Sequence, residues 1–160
     1  MLFQLALAVF SILSLAASAE SNALPNPGFE EAGALWSVSG DAALSPDAAR
    51  SGTTGLRVGA SAYSADGSSV TSARLPVTPG QEIRLGFHAR SRAACSGAYL
   101  WLYNAAGKLV NPPKGCNTTC WISETNNVWT AHTLTCAVPA GVASVAVWVH
   151  SSPGVLGSAD

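Results

Sequence analysis

Charged side chains are scarce in this sequence, and neither sign predominates. Eight Lys and Arg stand against nine Asp and Glu, which together make up 11% of the 160 residues and leave a net charge of −1. A protein that holds nucleic acid or an anionic membrane surface needs clustered basic residues to neutralise phosphates. The balance therefore predicts that nucleic acid is not a partner, and the many neutral polar side chains favour a neutral ligand.

The sequence also lacks the groups that common hydrolases need. Glycoside hydrolysis uses two carboxylates about 5–10 Å apart, but the few acids here lie in separate turns and strand starts. No serine stands in a Gly-x-Ser-x-Gly turn, which holds the nucleophile of one large hydrolase class. These absences predict a protein that is not an enzyme. A small polysaccharide lyase that uses His, Tyr and Arg is the catalytic alternative.

One long apolar run is present, and it opens the chain. Residues 2–17 are almost entirely apolar and lead into Ala17-Ser18-Ala19. An apolar run followed at once by small residues of this spacing is typical of a secretory signal peptide. We therefore predict a signal peptide at residues 1–19 and a secreted domain at 20–160, with no membrane contact after cleavage. An uncleaved anchor is the alternative, at the short edge of the roughly 17–25 residues that span a bilayer.

Four cysteines, an even number, fit an oxidising compartment and up to two disulfides with three possible pairings. The competing interpretation is a zinc site. It lacks a histidine at ligand spacing beside the first and last cysteine, so disulfides are favoured. The candidates are Cys95, Cys116, Cys120 and Cys136.

After residue 19 the chain shows no helical periodicity and no internal repeat. Short alternating runs broken by Gly, Pro, Asn and Asp are typical of a β-sandwich or barrel. A tight turn is predicted at Thr78–Gln81, where Pro precedes Gly. The other predicted features are strands at Leu56–Val58 and about Ser69–Val77, a hairpin at Ala105–Gly107, a long loop at about Asn111–Asn127 and a strand opened by Trp129.

Three further strands carry the functional signal: Glu82–Ser91, Ala98–Asn104 and Ala143–Ser151. Side chains alternate between the two faces of a strand, so the aliphatic set of each predicts the core. The opposite faces hold aromatic, His and Arg side chains. Sugar rings pack their C–H faces on aromatic rings, and polar neighbours bond their hydroxyls.

If these three strands lie in one sheet, the shared face predicts a carbohydrate site. Loops that cover the rings and make them a second core layer are the alternative. With one tryptophan of the long loop, the predicted site residues are Arg84, His88, Arg90, Tyr99, Trp101, Tyr103, Trp121, Trp148 and His150.

Two groups of motifs support this interpretation. The first comprises Asn26–Glu30, Trp36 and Ala49–Gly52 before Leu56–Val58, and the second comprises Val77–Gln81, Trp129 and Val138–Gly141 before a valine strand. In this order and spacing they resemble jelly-roll carbohydrate-binding modules with a galactose-binding-domain-like fold. Such modules are often appended to xylanases and other glycoside hydrolases.

The resemblance implies an all-β, two-sheet antiparallel sandwich over residues 20–160. It also implies non-catalytic binding of a polysaccharide or glycan, with a glycoside hydrolase as a partner in a longer chain or complex. A secreted structural or adhesion domain that binds a protein is the alternative from another functional class.

The resemblance further implies a structural calcium held by Glu30 and the region of Ser51, and a closing strand. The sequence reaches Gly157–Asp160 where that strand should begin. We therefore expect the strand to be missing, which weakens an ion site that needs many oxygen ligands and leaves a sheet edge open.

The remaining expectations concern single residues. The resemblance places Cys136 at an apolar core position, which predicts a buried free thiol. It places Cys95 beside the long loop, where a bridge to Cys116 or Cys120 is expected. Asn117-Thr118-Thr119 is a glycosylation sequon, which matters only in a eukaryote.

Overall fold

The computed structural model describes residues 23–31, 35–59, 67–91 and 96–151. The predicted signal peptide, Cys95 and the C-terminal residues 152–160 lie outside this part of the chain. Within it, no helix is long and apolar enough to cross a bilayer. The strands are β1 (Trp36–Ser39), β2 (Ala42–Ser45), β3 (Gly55–Val58), β4 (Ser68–Ser72), β5 (Leu75–Pro76), β6 (Glu82–Ala89), β7 (Ser96–Asn104), β8 (Leu109–Val110), β9 (Thr119–Ile122), β10 (Thr130–Ala137) and β11 (Val142–Ser151).

Seven of these strands form one large antiparallel sheet. The strands of this sheet follow the order β1-β4-β11-β7-β8. Two short strands complete it: β5 also pairs with β11, and β9 also pairs with β7. The second layer consists of two antiparallel pairs, β10-β6 and β2-β3. The predicted all-β antiparallel sandwich is therefore confirmed.

The core lies between the layers, where the aliphatic sets of the alternating strands meet. Leu100 and Leu102 of β7, Val145 and Val147 of β11 and Leu134 of β10 are between 1% and 8% exposed. Removing apolar surface from water stabilises such a layer by about 25 cal/mol per Å². The period of two therefore predicted the inward sides of β7 and β11 correctly.

Both predicted tight turns are present. The Gln81 N–H donates to the Thr78 carbonyl at 3.1 Å, and Gly80 has a φ of 85°. The Gly107 N–H donates to the Asn104 carbonyl at 2.9 Å, with a φ of 73° at Gly107. Glycine is the residue that adopts such φ values without steric cost, so these positions were readable from the sequence.

Two element boundaries differ from the prediction. The strand expected over Ser69–Val77 is divided into β4 and β5. At the break, the Ser72 hydroxyl accepts the Val147 N–H of β11 at 2.9 Å, so a side chain replaces a backbone partner. The loop expected over Asn111–Asn127 contains β9, which pairs with the start of β7.

The disulfide joins Cys116 to Cys136, and Cys120 is a free thiol. The predicted free thiol at Cys136 and the predicted bridges from Cys95 to Cys116 or Cys120 are therefore wrong. Cys136 does face the core, being 2% exposed, as the strand pattern required. Because β9 turns the long loop back beside β10, Cys116 reaches the inner side of β10, a contact that spacing along the chain does not reveal.

Candidate functional site

The outer face of the large sheet carries side chains from five strands in two adjacent rows. Directly opposed residues of antiparallel strands share a face, so the register defines each row. The first row consists of Ser37, Thr71, Trp148, Tyr99 and Thr119. The second consists of Ser39, Ser69, His150, Gly97 and Trp121.

The aromatic members form a stack along β11. The Trp148 ring lies 4.6 Å from that of Trp101 at an interplanar angle of 21°, and 4.7 Å from that of His150 at 16°. Trp101 lies opposite Ala146, two residues before Trp148, whereas His150 lies two residues after it. The stack therefore runs Trp101-Trp148-His150, with Trp148 at its centre.

Two more rings extend the stack sideways across β7 and β9. Tyr99 is the cross-strand neighbour of Trp148, with 4.9 Å between ring centroids. Trp121 meets Tyr99 edge-on at 5.9 Å and is 70% exposed. Aromatic pairs in such offset and edge-on geometries gain about 0.5–1.5 kcal/mol beyond their buried area. The rings are therefore held in place before any ligand binds.

Small residues beneath the rings let them lie close to the sheet. Ala146 is 1% exposed opposite Trp101. A Cβ placed on Gly97 would lie 2.8 Å from the Tyr99 hydroxyl and 2.9 Å from its ring, so the Tyr99 ring lies over this glycine. Alternation of large side chains predicted the rings, but it did not identify Gly97 as part of the site.

The aromatic face is open along its middle and closed at one end. Tyr99, Trp101, Trp148 and His150 are half-buried. Tyr103 is 8% exposed because the Arg74 guanidinium lies over its ring, 3.7 Å from the centroid. Tyr103 was predicted to bind ligand, and the structure instead places it under Arg74.

A shallow groove borders the face beside Tyr99 and Trp101. Its volume is about 190 Å³, and Asn111, Pro112 and Thr119 are also among its lining residues. Pockets that enclose a small molecule hold about 300–1,000 Å³. Recognition here would therefore use the surface of the sheet and this groove, not an enclosed cavity.

The face is electrically neutral apart from its end. Both rows contain Ser and Thr hydroxyls around the rings and no Lys, Arg, Asp or Glu. Burial raises the pKa of the Tyr99 hydroxyl above its ordinary value of 10.0, so it stays a neutral donor. The surface can therefore offer ring faces, hydroxyls and an imidazole to a ligand.

Three predicted site residues lie elsewhere, because the three strands do not share one sheet. β6 pairs with β10 in the second layer, whereas β7 and β11 belong to the large sheet. Arg84, His88 and Arg90 are consequently on the outer side of the other layer, and Arg90 lies 5.0 Å above the Trp129 ring. The expectation of a single shared face is wrong for these three side chains.

In the region predicted to hold calcium, the Glu30 carboxylate already accepts hydrogen bonds. The Glu30 carboxylate accepts the Thr53 N–H at 3.0 Å, the Thr54 N–H at 3.2 Å and the Thr53 hydroxyl. These donors stabilise the carboxylate where a cation would need its oxygens. In the described ranges no three His, Cys, Asp or Glu side chains cluster to hold a metal. Ser51 is exposed beside this turn, and calcium stays a prediction of the resemblance alone.

One thiol and one imidazole meet inside the sandwich, away from the aromatic face. Cys120 Sγ lies 3.5 Å from His132 Nδ1, and the His132 ring stacks on Phe87. Burial raises the pKa of the Cys120 thiol, which disfavours the thiolate that a nucleophile would need. We therefore interpret the Cys120 and His132 side chains as packing residues.

The sequence matches no protein-family model and no curated protein. The fold is similar to that of the enzymatically active domain of tailspike protein 4 from bacteriophage CBA120, with a TM-score of 0.64 and 17% identity. It is also similar to the N-terminal CBM22-1–CBM22-2 tandem domain of Xyn10C from Paenibacillus barcinonensis, with a TM-score of 0.50 and 14% identity.

These similarities cover most of this chain but only part of the other proteins. The chain is covered over 83% and 78% of its length, and it spans 19% of the tailspike domain and 38% of the tandem domain. At these identities the similarity shows the fold alone. The chain therefore shares a jelly-roll-like sandwich with a carbohydrate-binding tandem domain, and the galactose-binding-like type stays a prediction.

Proposed function

We propose that this domain binds a neutral polysaccharide or glycan on the outer face of the large sheet, without catalysis. The observation that carries the proposal is the continuous set of rings on β7, β9 and β11, which are half-buried except for the exposed Trp121. Hydroxyl-bearing rows on β1 and β4 lie beside it.

A sugar chain matches the chemistry of this surface. The C–H faces of pyranose rings pack on aromatic surface, and their hydroxyls exchange hydrogen bonds with Ser, Thr and His side chains. The exposed Trp121 ring and the groove beside Trp101 offer apolar contact at two separated points. A neutral ligand has no charge to desolvate when it binds this face. An anionic ligand would find no Lys or Arg side chain in either row to compensate for its desolvation.

The cellular setting follows from the sequence. The apolar N-terminal run indicates secretion, and a disulfide such as Cys116–Cys136 persists in oxidising compartments. We propose that the domain acts outside the cell, with a glycoside hydrolase as its partner in a longer chain or complex. The similarity in fold to the CBM22-1–CBM22-2 tandem domain supports glycan binding. The hydrolase partner depends on the sequence resemblance alone.

The test is retention on a panel of insoluble polysaccharides together with a glycan array, using residues 20–160 with and without calcium. Selective retention on a neutral sugar class supports the proposal. If the folded protein is retained on none of them, the face serves a protein partner instead, as in an adhesion domain. Turnover of any retained polysaccharide into unsaturated products would contradict the non-catalytic role.

Two tryptophan substitutions locate the binding. Trp101→Ala should weaken retention at least about tenfold, because truncating an aromatic anchor commonly costs 2 kcal/mol or more. Trp129→Ala, on the second layer, should leave retention unchanged. Circular dichroism of both variants distinguishes loss of the site from loss of the fold. Unfolding of Trp101→Ala would place this ring in the core and contradict the assignment.

A further inference from the structure

One arginine lies at the closed end of the aromatic face. Arg74 stands between β4 and β5 and directly precedes Leu75, which opposes the buried Val145 of β11 and packs on the core. Consecutive side chains of extended backbone point to opposite sides, so Arg74 points outward. Its guanidinium lies 3.7 Å from the centroid of the Tyr103 ring. The row of rings on β7 therefore ends under a cation.

Two neighbours restrict the orientation of this guanidinium. One is the Tyr103 ring on which it stacks. The other is the turn after β7, where a Cβ placed on Gly107 would lie 3.1 Å from Arg74 Nη1. Gly107 has a φ of 73°, which favours a residue without a side chain at this point of the turn. The fold therefore orients the guanidinium before a ligand binds.

The charge of Arg74 is not neutralised by the residues that the structure describes. Among them, its exposed guanidinium stacks on Tyr103 and forms no ion pair or hydrogen bond. The Ala73 N–H donates to the Leu35 carbonyl at 2.7 Å, and the three residues before Leu35 in the sequence are Ala, Gly and Ala, none of which is ionisable. The N–H groups of Arg74 are therefore available to an external acceptor.

This end of the sheet is bordered by described chain. β7 continues here into the described turn at Gly107, and β11 begins here after the described residues Pro139–Gly141. Ser68, Ser96 and Ser151 oppose one another at the other end, where the strands lead toward residues outside the described ranges. Seven residues of β7, about 23 Å of strand, separate that end from Tyr103.

A guanidinium that is stacked on one face offers its edge to a ligand. Its N–H groups form a planar fork that matches the two oxygens of a carboxylate, and one guanidinium balances one negative charge. Trp101 precedes Tyr103 by two residues on the same side of β7, about 7 Å along the strand. A carboxylate carried by a sugar that packs at Trp101 is therefore within reach of Arg74.

We propose that Arg74 is a subsite for the carboxylate of a uronic acid, carried as a side group on the otherwise neutral glycan that binds the aromatic face. This inference rests on the proposed function and names its ligand more narrowly. The neutral sugars of the chain lie over the rings and hydroxyls, and the acidic side group extends past Trp101 to the guanidinium. Tyr103 positions Arg74 and does not itself contact the sugar.

The test is calorimetric titration of the whole chain with tetrasaccharides of xylose, glucose, mannose and galactose, each with and without one glucuronic acid side group. In a series that binds, the acidic form should bind about fivefold tighter than the neutral form, as an exposed ion pair allows. The difference should fall with added salt. The methyl ester of the glucuronic acid keeps the size of the side group and removes its charge, so it should bind like the neutral form.

Substitution of the arginine locates the effect. Arg74→Gln should bind the acidic and neutral forms equally and keep the parent's affinity for the neutral form. Arg84→Gln, which changes an exposed arginine of the second layer, should keep the parent's preference. In ¹H–¹⁵N spectra of the parent protein, the Arg74 side-chain N–H signal should shift with the acidic form and stay in place with its methyl ester. This measurement decides the matter even where Arg74→Gln does not fold.

The outcomes separate the subsite from the proposed function. Equal affinity of the parent for the acidic, esterified and neutral forms, or a preference that persists in folded Arg74→Gln, would overturn the subsite and leave glycan binding by the aromatic face intact. If the folded chain binds no tetrasaccharide in any form, the proposed function fails, and the subsite fails with it.

Discussion

Gly97 determines where the Tyr99 ring can lie. Its missing side chain leaves room for the ring next to Trp148 and Trp121, and a Cβ would lie 2.8 Å from the Tyr99 hydroxyl. Gly97→Ala should therefore move the ring and weaken glycan binding several-fold, while the fold persists because the tip of a side chain can shift. Calorimetric titration with a retained oligosaccharide measures the effect.

The matched control is Gly86→Ala on β6. Nothing lies within 4 Å of a Cβ at Gly86, so the same added methyl group should leave affinity unchanged. If both variants bind like the parent protein, the position of the Tyr99 ring is irrelevant to the site. If both lose binding, the effect is a general one on strand stability.

Glu30 ties the first described segment to the turn before β3, and its effect depends on pH. The Thr53 hydroxyl and the Thr54 and Thr53 backbone N–H groups lower the pKa of Glu30 below its ordinary value of 4.5. A lowered folded-state pKa stabilises the protein above the unfolded-state value, and this contribution is lost as pH falls through the folded-state value. Glu30→Gln should therefore lower the thermal midpoint at pH 7, and this difference should shrink as the pH falls below 4.5.

Glu31→Gln is the control, because it removes the same charge from the neighbouring residue and leaves the hydrogen bonds of Glu30 to the turn in place. Thermal unfolding followed by circular dichroism across this pH range gives the comparison. A midpoint difference between Glu30→Gln and the parent that persists unchanged at low pH would show that the carboxylate charge does not act through these hydrogen bonds.

At the scale of elements, Ser72 joins two strands where the backbone ladder is interrupted. β4 ends at Ser72 and β5 starts at Leu75, and between them the Ser72 hydroxyl accepts the buried Val147 N–H. Ser72→Ala leaves that donor without a partner and should reduce the free energy of unfolding by about 1–3 kcal/mol. Urea denaturation measures it.

Ser69→Ala serves for comparison, since Ser69 lies on the outer face of the same strand. Its effect on stability should stay within about 0.5 kcal/mol. Equal losses of stability in Ser72→Ala and Ser69→Ala would mean that the substitutions weaken the strand in general, and not through the hydrogen bond to Val147.

Strand alternation predicted the elements that are long and half-buried. β6, β7 and β11 have the inward sides expected from their aliphatic residues, and the turns at Gly80 and Gly107 were set by glycine. The short β1, β2 and β9 were missed. Each has four residues, which gives few alternating positions, and its pairing is decided by distant partners. Of the four-residue strands only β3 was predicted, as Leu56–Val58.

Strand pairing is the part of the site that the sequence could not supply. Tyr99, Trp101, Trp148, His150 and Trp121 were predicted as a set, and the large sheet does bring their rings together. Arg84, His88 and Arg90 share the same chemistry but belong to the other layer, because alternation assigns a face within a strand and never assigns the sheet. The flanking hydroxyls of β1 and β4 were missed because Ser and Thr are ordinary residues on an exposed strand face.

On the scale of the whole molecule, the two outer faces of the sandwich offer two different chemistries. One presents stacked rings among neutral hydroxyls, and the other presents Trp129 with Arg84, His88 and Arg90. The five tryptophans of the chain are distributed so that their spectroscopic signals distinguish the two outer faces. Trp101, Trp121 and Trp148 belong to the aromatic face, whereas Trp36 packs on Phe29 with its indole N–H bonded to the Asn26 carbonyl.

The most direct measurement is therefore the ¹H–¹⁵N NMR spectrum of the five indole groups during titration with neutral oligosaccharides of xylose, glucose, mannose or galactose. We predict that one sugar series shifts the signals of Trp101, Trp121 and Trp148 together and leaves those of Trp36 and Trp129 in place. A shift of Trp129 while the other three stay fixed would move the site to the second layer and contradict glycan binding on the aromatic face.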